Sequence, residues 1–293
     1  MITSNGVKKK VLIFGSEGQL GFDLTRVFGN DYKVFALNRA NVDITNAKAV
    51  SEIIAKDKPE LILNAAAYNK VEAAEADSDE AFQVNKLAVG NMAKAAAEIG
   101  AVFIQVSSDY VFDGSKDFFI ETDAPNPLNV YGASKLGGEE LVKASGAKYY
   151  LIRTSSVFGV KSAKQKMNFV DTMIARAKEG QVLEVVNDQI MSPTYSFDLA
   201  GKIKELIEKP SPYGIYHITN QGSCSWYEFA IKILELMNLK TNIIAINTQE
   251  SGAKVNRPKK SILKSSALEK AGLAPMPTWQ NALQRYLKEK YKI

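Results

Sequence analysis

Residues 10–21 read KVLIFGSEGQLG. A short apolar run breaks at Gly15 into a segment where glycine recurs every third position, at Gly15, Gly18 and Gly21, and the amphipathic stretch GQLGFDLTRVFG (18–29) follows at once. The run KVLIF predicts a buried strand and the stretch after it a helix. Glycines at this spacing let the backbone turn tightly and approach a pyrophosphate, whose charge is met by the free N–H groups at the helix start. Such a turn can also serve merely as a connection. Its place at the first strand-to-helix junction favours phosphate binding, with Gly15, Gly18, Gln19, Leu20 and Gly21 as the contact residues.

Working outward, KVFAL (33–37), LILNAAA (61–67), AVFIQVSS (101–108) and YYLIRTS (149–155) are likewise apolar and rich in β-branched or aromatic residues, and read as buried strands. Between them lie helical spacings, NAKAVSEIIAKD (46–57) and DEAFQVNKLAVGNMAKAAAEIG (79–100), the latter stopped by Gly100. Alternating strands and helices predict an α/β fold with a doubly wound parallel sheet, because parallel strands need crossovers that cover both faces. Residues 1–156 are expected to form a dinucleotide-binding domain. The pattern then loosens, with helices at about 167–179, 196–208, 225–237 and 279–290 and short strands near 182–186, 214–218 and 242–246. Residues 157–293 are expected to be mainly a smaller substrate domain, lending strands from about 182–220 back to the first.

The 293 residues are 46% apolar, enough for a real core, and 37 Lys and Arg against 32 Asp and Glu give a formal charge of +5 that is scattered along the chain. Neither a nucleic-acid nor a membrane partner is expected. One cysteine, Cys224, and one histidine, His217, provide no disulfide and no His/Cys metal cluster. The polar MITSNGVKKK leads into an apolar run far too short for a signal or membrane segment, and the expected location is the cytoplasm. The carboxylates Glu72, Glu75 and Asp77 lie in an acidic helical stretch, and no metal site is assigned. His217, in GIYHITN, reads as a satisfied interior or edge residue.

At the end of the second strand a carboxylate would read an unphosphorylated adenosine ribose; here stand Asn38 and Arg39. Without an acid to repel a 2′-phosphate and with a guanidinium to clamp it, NADPH is the expected cofactor and NADH the alternative. Asp43 and Ile44 are placed by order to border the adenine.

SSDYVF ends the fourth strand, at the sheet edge where ligands of such folds bind, and NVYGASKLGGEE (129–140) sets Tyr131 one helical turn before Lys135. Reducing a ketone takes a hydride on carbon and a proton on oxygen. A phenol donates that proton best when a neighbouring cation favours the phenolate left behind. Tyr131, Lys135 and Ser108, the last as hydrogen-bond donor to the carbonyl oxygen, form the candidate catalytic group.

In this order, the glycine turn, the serine-tipped strand and YxxxK resemble the extended short-chain dehydrogenase/reductases over essentially the whole chain. Within them, GSEGQLG, NAAAYNKVEAAE, FQVN, SSDYVFDG, YGASKLGGE, RTSSVFG, NDQIMSPTYSFDLA and NRPKKSILKSSALEKAGL are similar to the dTDP-4-dehydrorhamnose reductases. The resemblance implies hydride transfer from NAD(P)H to the C4 ketone of a nucleotide-linked 6-deoxy-hexulose. It implies a catalytic Ser108, Tyr131 and Lys135, the latter two also holding cofactor, and a cofactor-lining backbone at Ala65, Ala66 and Ala67. Substrate contacts are implied at Asn69, Val71, Ser108, Asp109, Ser156, Asn168 and Arg257, and a homodimer is left open.

Two positions depart from the family: Ser156 stands where tryptophan is usual, and Asn69 where threonine is common. A hydroxymethyl in place of a ring opens the pocket, leaving the sugar undetermined. Arg257 fits a diphosphate but also a basic loop with Lys254, Lys259 and Lys260. Asn168 is a helix cap or a sugar contact. A related nucleotide-sugar reductase or epimerase, a dehydratase and a non-catalytic dinucleotide-binding regulatory subunit are the other readings. Ser108, Tyr131 and Lys135 argue against the regulatory subunit, and Tyr110 in place of a glutamate after Asp109 argues against the dehydratase.

Overall fold

A computed structural model describes residues 8–161 and 167–293. Its first half runs β1 (Lys10–Phe14), α1 (Gln19–Gly29), β2 (Lys33–Leu37), α2 (Ala47–Asp57), β3 (Leu61–Asn64), α3 (Val71–Ala76), α4 (Ser78–Phe82), a π-helical turn at Gln83–Leu87, α5 (Ala88–Glu98), β4 (Val102–Ser108), a 3-10 turn at Asp109–Val111, α6 (Val130–Lys143) and β5 (Lys148–Thr154). The second half runs β6 (Val157–Phe158), α7 (Phe169–Lys178), β7 (Leu183–Val186), β8 (Ile190–Met191), β9 (Thr194–Tyr195), α8 (Ser196–Glu208), β10 (Gly214–His217), β11 (Cys224–Ser225), α9 (Trp226–Leu236), β12 (Ile243–Ile246), α10 (Ser266–Lys270) and α11 (Trp279–Tyr291).

Six strands pair in the order β2-β1-β3-β4-β5-β10, all parallel. Val11, Leu12, Ile13 and Phe14 are all buried because helices cover both faces, which is why this strand is continuously apolar rather than alternating. Leu20, Leu24 and Phe28 of α1 pack with Leu199, Ile203 and Leu206 of α8 on one face. Val50 and Ile54 of α2, Val89, Met92 and Ala96 of α5 and Val142 of α6 cover the other. A third core joins α7, α9 and α11 around Phe158, Ile174, Phe229 and Tyr286. Of the short second-half strands, β10 enters the large sheet beside β5, whereas β7 pairs with β12.

The chain leaves β1 toward β2 on one side, and β3, β4 and β5 build outward on the other, so a crevice opens where the carboxyl ends of β1 and β3 part. Two expected elements differ in a way that shapes it. The strand expected over 61–67 stops at Asn64, whose amide donates to Gln105 (2.8 Å) and whose oxygen accepts from the Ala66 N–H (3.1 Å); the Ala65 N–H still donates to the Phe14 carbonyl (3.1 Å), and the chain leaves the ladder at Ala66. The helix expected over 79–100 contains the π turn, a widening that often marks functional sites.

Candidate active site

Gly15 sits at the crevice with φ of +79°, where a side chain is strained, and a Cβ there would lie 2.6 Å from the Ala66 nitrogen. At Gly21 a Cβ would lie 2.1 Å from the Gly15 carbonyl oxygen, so the first turn of α1 can close onto β1 only without one. Gly18 caps α1 with no side-chain hydrogen bond, leaving the helix N–H groups for an anion. Gly15→Ala is therefore expected to cost about 1–3 kcal/mol of stability from backbone strain. It should also weaken dinucleotide binding by roughly tenfold or more, read by thermal melting and fluorescence titration.

Gly15, Gly18, Asn38, Arg39, Asp43, Ile44, Ala65, Ala66, Ala67 and Asn69 line one cleft of about 880 Å³. Leu20 departs from expectation: its side chain is packed in the core beside α8, so only its backbone can face a phosphate. Gln19 turns toward the second half of the chain, its Oε1 accepting from Asn168 Nδ2 at 3.2 Å. Asn168 is the cap of α7, accepting from the Asp171 N–H (2.9 Å), and also donates to the Gly159 carbonyl and the Tyr286 hydroxyl.

The catalytic candidates converge where β4 ends. Asn129 caps α6 by accepting from the Gly132 N–H (2.8 Å). Gly132 lets that helix ride against the turn after β4, since a Cβ there would meet the Tyr110 carbonyl oxygen at 2.2 Å. Burial pushes the Tyr131 phenol up to about 12, the neighbouring Ser108 hydroxyl draws it down and nearby Asp109 pushes it up. Lys135 Nζ donates to the Val106 carbonyl at 2.7 Å, and burial lowers its ammonium to about 8 against the opposing pull of Glu139. Asp109 is 3% exposed and accepts from Ser108 (3.0 Å) and Ser155 (2.7 Å). Burial raises its pKa, while hydrogen bonds from Ser261, Ser155 and Ser108 oppose this.

Two groups here had no role in the sequence reading. Asn85, 1% exposed in the π turn, accepts from the Tyr68 N–H and donates to the Tyr68 carbonyl (both 2.9 Å) and to the Ser134 hydroxyl (2.9 Å). It thus clamps the Ala65–Asn69 wall to α6 one turn from Tyr131. Gly138 completes the fit, because a Cβ there would lie 2.2 Å from the Asn85 carbonyl oxygen.

The second group is a buried ion pair. Arg153 of β5 grips Glu139 of α6 with two bonds (2.9 and 2.7 Å), and Ser107, beside Ser108, donates to the same carboxylate at 2.6 Å. His217 is fully buried, as expected of an interior residue, with Nε2 3.5 Å from Arg153 and Nδ1 3.3 Å from the Phe119 carbonyl. Burial lowers its imidazole from 6.5 to about 4, opposed by Glu121. The folded state therefore holds it neutral where the unfolded chain takes up a proton, so its contribution is complete above about pH 6.5 and is lost as pH falls toward 4. Relative to His217→Gln, the wild type is expected to lose on the order of 2–3 kcal/mol over that range, read by melts at stepped pH.

The remaining substrate candidates come from the turn after β5, the start of α3 and the segment 256–264. Ser156 is left-handed (φ +45°). Val71 starts α3, and Arg257 pairs with Glu72 of that helix, its Nε buried without a partner. Residues 256–264 form a strap: the Asn256 carbonyl accepts from Asn129, Ser261 N–H donates to Ile190, and Lys264 N–H donates to Phe119. Among the described residues there is no group of three or more His, Cys, Asp or Glu that could hold a metal, and no helix long and apolar enough to cross a membrane.

A parallel sheet with a glycine cradle at its switch point makes this a Rossmann-type α/β protein, and the solved structures agree. The dTDP-4-dehydrorhamnose reductase from Bacillus anthracis str. Ames, crystallised with NADP, superposes with a TM-score of 0.92 at 40% identity, covering 97% of this chain and 100% of that one. UDP-glucose 4-epimerase of Thermus thermophilus, at 18% identity, shares the fold with a TM-score of 0.82, covering 97% of this chain and 99% of that one. The chain belongs to the family described as RmlD substrate binding domain, whose model matches residues 9–292. Among curated relatives, it is 40% identical to dTDP-4-dehydrorhamnose reductase of Aggregatibacter actinomycetemcomitans (94% of this chain, 97% of the relative). It is 39% identical to the spore coat polysaccharide biosynthesis protein SpsK of Bacillus subtilis strain 168 (96% and 98%).

Proposed function

We propose that this chain is an NADPH-dependent oxidoreductase that reduces dTDP-4-dehydrorhamnose to dTDP-rhamnose for polysaccharide biosynthesis. The observation that carries the reading is the convergence of Ser108, Tyr131 and Lys135 on the carboxyl end of β4, the sheet edge that also carries the glycine cradle. Its support from relatives is the shared name and near-full coverage of the dTDP-4-dehydrorhamnose reductases.

The cradle fits a dinucleotide because Gly15 and Gly21 let the turn close tightly and Gly18 caps α1 without a side chain, leaving the helix N–H groups open to a pyrophosphate. Gly15, Gly18 and the start of α1 would hold the pyrophosphate, Asn38 and Arg39 the adenosine ribose, and Ala65–Ala67 the wall beside it. When bound, the dihydronicotinamide supplies the hydride. In this proposal Ser108 donates a hydrogen bond to the ketone oxygen and Tyr131 delivers its proton there. Lys135 places a positive charge beneath, stabilising the phenolate as it forms. Arg257 and Asn69 hold the nucleotide end, Ser156 leaves room at the sugar, and the work is done in the cytoplasm, in keeping with the free thiol of Cys224.

The test is a panel of nucleotide-linked 4-keto-6-deoxy sugars with NADPH, the product identified by NMR. dTDP-4-dehydrorhamnose is expected to turn over fastest and simple aldehydes and 2-keto acids not at all. Binding of NADPH without turnover across the whole panel would sink the proposal in favour of a regulatory subunit.

A further inference from the structure

The glycine turn carries a carboxylate that the proposed chemistry does not use. Glu17, exposed between Gly15 and Gly18, lines the same cleft as Asn38 and Arg39, and its Oε1 accepts from Asn38 Nδ2 at 2.9 Å. The Asn38 side chain is otherwise committed, its Oδ1 accepting from the Ala40 and Asn41 N–H groups (2.8 and 3.1 Å). The amide therefore fixes the Glu17 carboxylate at the end of β2. Of the other charges lining this rim, Asp43 is engaged by Thr45 through two bonds (3.0 and 2.8 Å), and Arg39 is exposed. Lys70 and Glu80, which also line the cleft, come from the loop after β3 and from α4, so Glu17 is the acid held against the end of β2, delivered from the glycine turn rather than from the second strand.

We infer that Glu17 sets the cofactor ratio: its carboxylate repels the 2′-phosphate that Arg39 attracts and accepts the hydroxyl of an unphosphorylated ribose, so that NADH also serves. This rests on the dinucleotide reading of the cleft. The physical basis is one carboxylate facing one phosphate across water, with an acid at this place favouring a free 2′-hydroxyl.

Glu17→Gln removes the charge while keeping an oxygen for the Asn38 amide, so the turn is preserved. Dissociation constants for NADPH and NADH are measured by fluorescence titration at low and high salt. The ratio Kd(NADH)/Kd(NADPH) is expected to rise about fivefold in Glu17→Gln at low salt and further in Glu17→Lys, and to fall about tenfold in Arg39→Ala. The Glu17→Gln effect should shrink as salt screens it. A role confined to shaping the turn would move both affinities together. A ratio unchanged in both Glu17 variants would therefore overturn the inference while leaving dinucleotide binding intact. Failure of the wild type to bind either dinucleotide would overturn the cofactor reading and this inference with it.

Discussion

Tyr131→Phe is expected to lower turnover of the keto sugar by about 10²–10⁴-fold, the usual size of a general-acid contribution, with NADPH affinity nearly unchanged. The phenylalanine keeps the ring and its edge-on contact with Tyr110 (5.7 Å between centroids) but removes the hydroxyl that lies beside Ser108. Lys135→Met should behave differently, reducing both turnover and cofactor binding, since the family resemblance gives the lysine a second task at the nicotinamide ribose. Stopped-flow hydride transfer alongside equilibrium titration separates the two. Near-normal turnover in Tyr131→Phe would mean that the phenol is not the acid and that α6 carries a structural tyrosine followed by a buried lysine.

The largest expected loss of stability lies one layer below. Arg153 and Glu139 have side-chain exposures of 1% and 0%. Removing one partner of such a pair strands the other charge, so Arg153→Met is expected to cost about 3–5 kcal/mol in urea unfolding. The loss should exceed that of Ser107→Ala, which removes only one neutral donor from the carboxylate, worth about 1–3 kcal/mol. If Arg153→Met unfolded at the wild-type midpoint, the pair would contribute nothing net.

The large sheet was legible because β1, β3, β4 and β5 are largely buried and read as apolar runs, and β2, half-exposed at the sheet edge, is as apolar in sequence. The same rule over-extended β3, because Ala65–Ala67 are as apolar as strand residues, and only the Asn64 side chain, turning back on Ala66, ends the ladder. The π turn was invisible for the opposite reason: FQVNKLAV keeps helical spacing throughout, and the partner of Asn85 is the Tyr68 backbone far from it in sequence. In sequence Glu139 is one of two adjacent acids in GGEE, with nothing beside it to mark it as buried. A signal did exist, since an arginine inside YYLIRTS must find an anion once that strand is buried. For the site, residue type and order pointed to Ser108, Tyr131 and Lys135, while nothing in the sequence marked Asp109 as also accepting from Ser108 and from Ser155, just past β5.

That strap fixes the order in which a nascent chain can finish its work. The glycine cradle, β4 and α6 are complete within the first 143 residues, whereas the ties that close the mouth come from Asn256, Arg257 and Ser261, near the other end of the polypeptide. On the ribosome, where the N-terminal part emerges and folds first, the dinucleotide cradle and the α8 that covers α1 are translated before the strap, whose Arg257 is proposed to hold the sugar nucleotide. A chain released early would then be a cofactor binder with nothing to reduce.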